Sequence, residues 1–356
     1  LGAWLYATAV VNPTNAFAVG EGSEPEGVAY ATYPVFVAYH RDAAGWHLTP
    51  VNGGAAGSSG GLRAVAATAT SAYAVGYVMP DRGTWDPLVV RWDGSSWQDA
   101  GVPLSALRPA VGDTFMYLPE KVADPADNSV TVLSGTESRS LPSRLTHWNG
   151  HAWSARSLPR TVGSGTCKGV VDPKDMAAAS TRDIWIVGTT AIPGPPDISP
   201  SQATPLCPLV LHWDGRTFSA NTNFPAGYRP VAVTAHASVL WVVGRTPNED
   251  IVVLQRTTTG WHRETLPPTF RGVVPSGIAV RSRGDVWISG TQVIGSQTNA
   301  VALHRVNGKW VEQTAPANAA FYDVAAAPGL TVLVGARIVN GTYATMIDER
   351  VPGKSQ

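Results

Sequence analysis

Short apolar runs along this chain repeatedly end in glycine: NAFAVG, SAYAVG, VTVLSG, DIWIVG, VLWVVG, DVWISG and LTVLVG. The glycines are Gly20, Gly76, Gly135, Gly188, Gly244, Gly290 and Gly335, spaced 45 to 59 residues apart. Between them recurs an apolar strand, a polar turn and an aromatic residue, as in LVVRWDGSSW, SRLTHWNGHAW, LVLHWDGRTF and VALHRVNGKW. A repeat of about 50 residues built only of short strands predicts an all-β chain, a seven-bladed β-propeller whose blades are four-stranded antiparallel sheets. The spacing places the blades at about 1–52, 53–104, 105–160, 161–224, 225–268, 269–316 and 317–356 of one domain. The last repeat supplies three strands and then VPGKSQ where a fourth is expected. Either the last blade closes the ring with three strands, or the natural chain continues past one end; the start at Leu1 without a methionine favours the second.

Within a blade the strands are named a to d from the inside outward. Small residues crowd strand a (AVAATAT, DMAAAS, SGIAV, YDVAAA), as expected where inner strands converge. Strand b carries Phe17, Tyr73, Val132, Trp185, Trp241, Trp287 or Val332 three residues before its glycine. That column is expected to pack between neighbouring blades. Aligning on the strand d aromatic (Trp46, Trp97, Trp153, Phe218, Trp261, Trp310) shows His40, Arg91, His147, His212, Gln255 and His304 six positions earlier. These are expected to bond the c–d turn, because outer strands of separate blades cannot bring four imidazoles to one metal. The next column, Arg41, Trp92, Trp148, Trp213, Arg256, Arg305 and Arg350, fits a cross-strand partner for the strand d aromatic.

The c–d turns read Asp-Gly or Asn-Gly at Asp93, Asn149, Asp214 and Asn307, dipeptides that tolerate the positive φ of tight hairpins. They resemble a degenerate Asp-box, the scaffold hairpin of sialidase-like propellers, without its opening serine.

Charge changes the picture by exclusion. The 26 basic and 26 acidic residues cancel, so the electrostatic footprint of nucleic acid or anionic membrane binding is absent. The sequence has no run of 18 apolar residues, hence no membrane-spanning helix. P-loop, Rossmann, nucleophile-elbow and HExxH patterns are missing, and no cofactor or metal is implied.

The blades differ mainly in their loops. The b–c loops of blades 1, 2 and 4 are long, the last (TTAIPGPPDISPSQATPLC) being the longest, whereas that of blade 5 is RTPNED. Long loops on a rigid scaffold are where binding residues concentrate. Cys167 precedes blade 4 and Cys207 ends its b–c loop, so both fall on the same face and can form a disulfide, which fits a secreted, extracellular protein. That face also carries Trp85 and Asp86 in RGTWDP, Phe115, Tyr117, Glu120 and Lys121 in GDTFMYLPEK, and Asp172 and Lys174 in CKGVVDPKD. An exposed Trp stacks on the apolar face of a pyranose while neighbouring carboxylates and amides bond its hydroxyls. Trp85, Asp86, Tyr117, Asp172 and Lys174 are therefore the candidate ligand-binding residues.

The DVWxxG and HWDGxxW pattern resembles lectin-like propeller domains of secreted proteins from GC-rich Gram-positive bacteria, including the lectin propellers of umbrella toxin particles. That resemblance implies a non-catalytic module that recognises cell-surface carbohydrate within a larger secreted assembly. Two other classes stay open: a protein docking platform, and a hydrolase or lyase working from the axis.

Overall fold

Each repeat folds as its alternation of apolar and polar positions requires, into a meander whose strands pair in chain order. The computed structural model describes residues 2–23, 34–53, 59–79, 85–107, 117–126, 129–136, 142–191 and 205–352, apart from 223, 225–226, 237–238, 249, 258–259 and 283. Strands a to d of blade 1 are Ala3–Asn12, Asn15–Ser23, Pro34–Asp42 and Gly45–Leu48. Those of blade 2 are Ser59–Ala67, Ala72–Met79, Asp86–Trp92 and Trp97–Asp99, with Val51–Asn52 added in parallel beyond strand d. Blade 3 comprises Tyr117–Ala126, Ser129–Thr136, Arg144–Trp148 and Trp153–Ser157. Blade 4 comprises Gly169–Ser180, Asp183–Ala191, Pro205–Trp213 and Phe218–Asn221, with Thr161–Val162 beside strand a. Blade 5 is Arg229–His236, Val239–Arg245, Ile251–Thr257 and Gly260–Arg263; blade 6 is Val273–Ser282, Asp285–Ile294, Gln297–Val306 and Lys309–Gln313. Blade 7 has three strands among the described residues, Ala319–Ala327, Leu330–Val339 and Thr342–Arg350. The fold is an all-β, seven-bladed propeller of four-stranded antiparallel blades. It divides into two compact units, Leu1–Gly101 with Ser276–Gln356, and Val102–Pro275.

The repeating glycine is required by a β-bulge. In blades 1, 2, 3, 4, 5 and 7, strand a skips one residue in its pairing with strand b: Tyr6, Arg63, Glu120, Lys174, Val231 and Tyr322. Such a bulge bends the strand and swings its carbonyls toward the partner. A Cβ on Gly20, Gly76, Gly188, Gly244 or Gly335 would run into the carbonyl oxygen of Trp4, Gly61, Asp172, Arg229 or Ala320. Nothing larger than a hydrogen fits there.

Blade 3 departs from this rule. Ser134, not Gly135, sits opposite Pro119, the position where the other blades place their glycine, and Gly135 lies one step further along. The atoms nearest to a Cβ on Gly135 would be those of the Glu120 carboxylate, the far end of a flexible side chain. The strand b column therefore shifts as well: Thr131, not Val132, stands opposite His147.

Sheet-on-sheet packing uses strand b as expected. Trp185 of blade 4 packs with Tyr228, Val233 and Val242 of blade 5, and Trp287 of blade 6 packs with Phe321 and Leu333 of blade 7. Leu133 and Leu145 of blade 3 join Met176 and Ile186 of blade 4. Blades 7 and 1 pack directly, Leu330, Val332 and Val334 against Ala3, Leu5 and Val37. Burying each large side chain in these seams stabilises by roughly 1.5–3 kcal/mol.

The histidine column does not bond the c–d turn. His212 and His304 lie flat on Trp185 and Trp287 of strand b, centroids 3.9 and 4.0 Å apart, and donate to Asp183 and Asp285 of the a–b turn at 2.8 and 3.0 Å. The tryptophan N–H donates to the same aspartate, at 2.7 and 3.1 Å. His40 repeats the arrangement with Phe17 and Asn15. Cross-strand stacking aims the imidazole edge along strand b toward the a–b turn, away from its own hairpin. The c–d turns are capped instead by their leading side chain: Asp93 accepts from Ser95 and Ser96 N–H, Asn149 from His151 and Ala152, and Asp214 from Arg216 and Thr217, all within 2.8–3.0 Å. The Ser96 and Ser95 N–H groups hold the Asp93 carboxyl well below the usual carboxylate range. The column after the histidines does face the strand d aromatic, pairing Arg41 with Trp46, Trp92 with Trp97 and Trp148 with Trp153.

Cys167 and Cys207 form a disulfide across 40 residues of sequence, tying the turn before strand a of blade 4 to the start of its strand c.

Gly188→Ala is expected to destabilise the protein by about 3 kcal/mol, because backbone must move, while Gly135→Ala costs under about 1 kcal/mol. Paired chemical denaturation curves check this, and equal losses would refute the bulge account. Replacing both cysteines by serine should cost about 3–4 kcal/mol by the chain-entropy estimate for a loop of this length, read as the same midpoint shift that a reductant produces in the unmutated protein.

Candidate functional site

The bulge that excludes a side chain from strand b also displays one on strand a. In the first unit the displayed residues are Tyr6, Arg63 and Tyr322, and the first two converge on Glu21, the residue after Gly20. Tyr6 and Tyr77 donate their hydroxyls to the two Glu21 carboxylate oxygens at 2.8 and 2.7 Å, and the Arg63 guanidinium lies 3.3 Å from the second. Arg63 stacks over both phenol rings, 4.6 Å from the Tyr6 centroid and 5.3 Å from that of Tyr77. Tyr322 flanks Tyr6 at 5.9 Å. The Gly60-Gly61 pair makes room for this: a Cβ on Gly61 would strike the Glu21 carboxylate, and one on Gly60 the Phe36 ring.

Trp85 completes the cluster. It lies just before strand c of blade 2, with its indole parallel to the Tyr77 ring (centroids 4.5 Å apart, planes at 17°) and 42% of its surface exposed. One indole face is thus supported by a buried, hydrogen-bonded tyrosine, and the side chain is still partly exposed to solvent. Asp86 follows it and pairs with Val78 in the ladder.

Burial and the bond to Glu21 push the Tyr6 phenol up to about 12, and the same two causes raise Tyr77 further. Both are therefore hydroxyl donors at neutral pH. With its oxygens engaged by two phenols and a guanidinium, Glu21 orients its neighbours.

The second unit carries the other polar group. Lys174, the bulge residue of blade 4, donates to Asp172 at 3.0 Å, as close as their sequence proximity allowed. Asp175 links blades: one carboxylate oxygen accepts from the Val233 N–H of blade 5 at 2.8 Å and the other lies 3.4 Å from Lys121. Glu120, reachable by solvent but hemmed in by protein, has its carboxyl raised by desolvation, with Lys174 and Lys121 pulling it down and Asp172 up.

Of the sequence candidates, Trp85 and Asp86 fall in the first unit, and Asp172 and Lys174 in the second. The backbone of Tyr117 opens strand a of blade 3 opposite Thr136, while its side chain lies outside the described residues, as do Phe115 and the central parts of the b–c loops of blades 1, 2 and 4. Sequence reasoning missed Glu21, Tyr6, Arg63 and Tyr77. A signal existed in their fixed offsets, since Glu21 and Tyr77 each follow a repeat glycine and Tyr6 and Arg63 share the bulge column. A separate cavity of about 840 Å³ lies at the a–b and c–d end of blades 1 and 2, lined by Asn15, His40, Thr70, Arg91 and Asp93 among others.

No protein-family model matches the chain, and no curated protein matches it. Solved structures do resemble it. YCF48 bound to a D1 peptide superposes with a TM-score of 0.59 at 14% identity, covering 98% of this chain and 92% of that one. A PL25 polysaccharide lyase, an ulvan lyase, gives 0.58 at 9% identity over 98% and 94%. The β-propeller domain of the Trilobed protease from Pyrococcus furiosus, described as having an open velcro topology, gives 0.53 at 9% identity over 98% and 95%. At these identities the likeness establishes the propeller fold alone.

The raised Tyr6 pKa has a consequence for stability. Free tyrosines ionise near about pH 10, so the unfolded chain loses its protons first; stability is level below that pH and falls above it. Glu21→Gln should let Tyr6 ionise at lower pH yet still above the free value, since burial is the larger cause. Phenolate absorbance titration, with Tyr6→Phe assigning the transition, checks this; a Tyr6 transition at the free value in the unmutated protein would contradict the geometry.

Proposed function

We propose that this propeller is a secreted, non-catalytic binding module that recognises cell-surface carbohydrate through the loop face of blades 1 to 4. The observation that carries the reading is Trp85, an exposed indole stacked on a buried, hydrogen-bonded tyrosine. A rigid aromatic plane beside a guanidinium and a carboxylate suits a pyranose, whose C–H face stacks while its hydroxyls find Arg63 and Asp86. In blade 4, Asp172 and Lys174 supply a second polar pair, and Tyr117 of blade 3 is proposed as a further ligand-binding residue. The disulfide supports an oxidising, extracellular setting. In a larger secreted assembly the module would serve to target, as lectin propellers of toxin particles do.

A protein docking platform is the second reading, since the same indole face accepts a proline ring or an aliphatic side chain. A hydrolase or lyase is not favoured: the Glu21 oxygens are occupied, and in the second unit Asp172 and Asp175 are each engaged by lysine.

Glycan-array screening of the protein and of Trp85→Ala tests the proposal. Specific binding is expected, weakened about tenfold or more in the variant with melting unchanged. A clean negative array, or hits that ignore Trp85, would remove the carbohydrate reading.

A further inference from the structure

The strand c histidines and their turn aspartates form a pair that the repeat builds more than once. His212 and His304 stand directly opposite Trp185 and Trp287. The aspartate two residues before each tryptophan, Asp183 or Asp285, accepts the imidazole N–H at 2.8 or 3.0 Å. Blade 1 repeats the pair with His40 and the Asn15 amide. Blade 2 alters both members. Arg91 takes the histidine's position opposite Tyr73, and Ser71 takes the aspartate's, two residues before that tyrosine. A titratable imidazole is thus replaced by a permanent cation, and its carboxylate partner by a hydroxyl. The Ser71 hydroxyl lies 2.9 Å from that of Thr68. The exposed Arg91 guanidinium lies 5.9 Å from the Tyr73 ring centroid, and no carboxylate among the described residues pairs with it.

The cavity of about 840 Å³ at the turn end of blades 1 and 2 lies here, lined by Arg91 and Ser71, by the half-buried rings of Trp92 and His40, and by Asp93 and Asp99. That volume suits a small molecule. Asp93 is spent on its own hairpin: one oxygen accepts the Ser95 and Ser96 N–H, the other the Ser96 hydroxyl and the Gln98 amide. Asp99 accepts the Gly101 N–H at 2.8 Å. Desolvation holds the His40 imidazole below its usual pKa, so Arg91 is the one cation on this lining at neutral pH among the described residues.

We propose that this cavity binds a small organic acid, a carboxylate carried on a flat, ring-sized body. The carboxylate sits on Arg91, where blades 4 and 6 supply an aspartate of their own, and the ring lies beside Trp92 and His40. A guanidinium holds a carboxylate through two parallel N–H donors. This site is at the opposite end of its blades from Trp85 and is independent of the carbohydrate reading.

Benzoate is the probe, with benzamide as its uncharged counterpart of the same shape. Each is titrated into the whole protein and followed by NMR of the guanidinium N–H signals. Benzoate is expected to shift Arg91 saturably with a Kd of about 1 mM or tighter, and benzamide to bind at least about tenfold more weakly. Arg91→Gln, at an exposed position, should weaken benzoate at least about tenfold with melting unchanged, read by calorimetry. Ser71→Asp, which restores the carboxylate of blades 4 and 6, should weaken it comparably by occupying Arg91 from within. If Ser71→Asp does not fold, Arg91→Gln decides. Absence of saturable binding, equal affinity for benzamide, or full affinity in Arg91→Gln would overturn the proposal, as would full affinity in a folded Ser71→Asp.

Discussion

The close approach of an inner-strand carbonyl to a glycine on the next strand governs this molecule. Once strand a carries its extra residue, the carbonyl two positions earlier leans into strand b where a Cβ would otherwise stand. The bend then has two further effects. It turns the residue after the bulge toward the next blade, where Asp175 and Asp323 accept the backbone N–H of Val233 and Thr8 at 2.8 and 2.9 Å. It also displays the bulge side chain itself, which is how Tyr6, Arg63 and Lys174 reach the loop-bearing end of their blades. Structure and site thus share one backbone irregularity.

The two ends of the blades spend their polar groups differently. At the turn end, carboxylates and amides are engaged by their own chain: Asp93 and Asp214 cap hairpins, and Asp183 and Asp285 each hold a tryptophan and a histidine. These groups fix the blade and leave little acceptor capacity for a ligand. At the loop end the first unit gathers two phenols and a guanidinium around a single carboxylate, with a partly exposed indole stacked on one of the phenols.

The sequence carried the repeat, the blade count and the strand order because glycine, aromatic and turn positions recur at near-constant spacing. It misled where one residue type has two causes. Gly135 looks like the sixth sibling of Gly188, yet the bulge in blade 3 faces Ser134, and only the pairing of Pro119 reveals the slip. The histidines looked like hairpin ligands because they lie near the turn in sequence, whereas stacking on strand b aims them at Asp183 and Asp285. The disulfide was legible, since topology alone put Cys167 and Cys207 on one face. Trp85 was legible as an exposed aromatic, but its support was not: Tyr77 and Glu21 lie 8 and 64 residues away and meet only because Gly61 is bare.

Within the proposed binding face of blades 1 to 4, the loop end of blades 1 and 2 carries the cluster held by the bulge residues Tyr6 and Arg63. The most direct measurement is NMR of the tryptophan indole N–H and arginine guanidinium signals while oligosaccharides selected on a glycan array are added. Trp85 and Arg63 are expected to move first and furthest. Shifts confined to Trp92 and Arg91, at the opposite end of the same blades, would contradict the proposal.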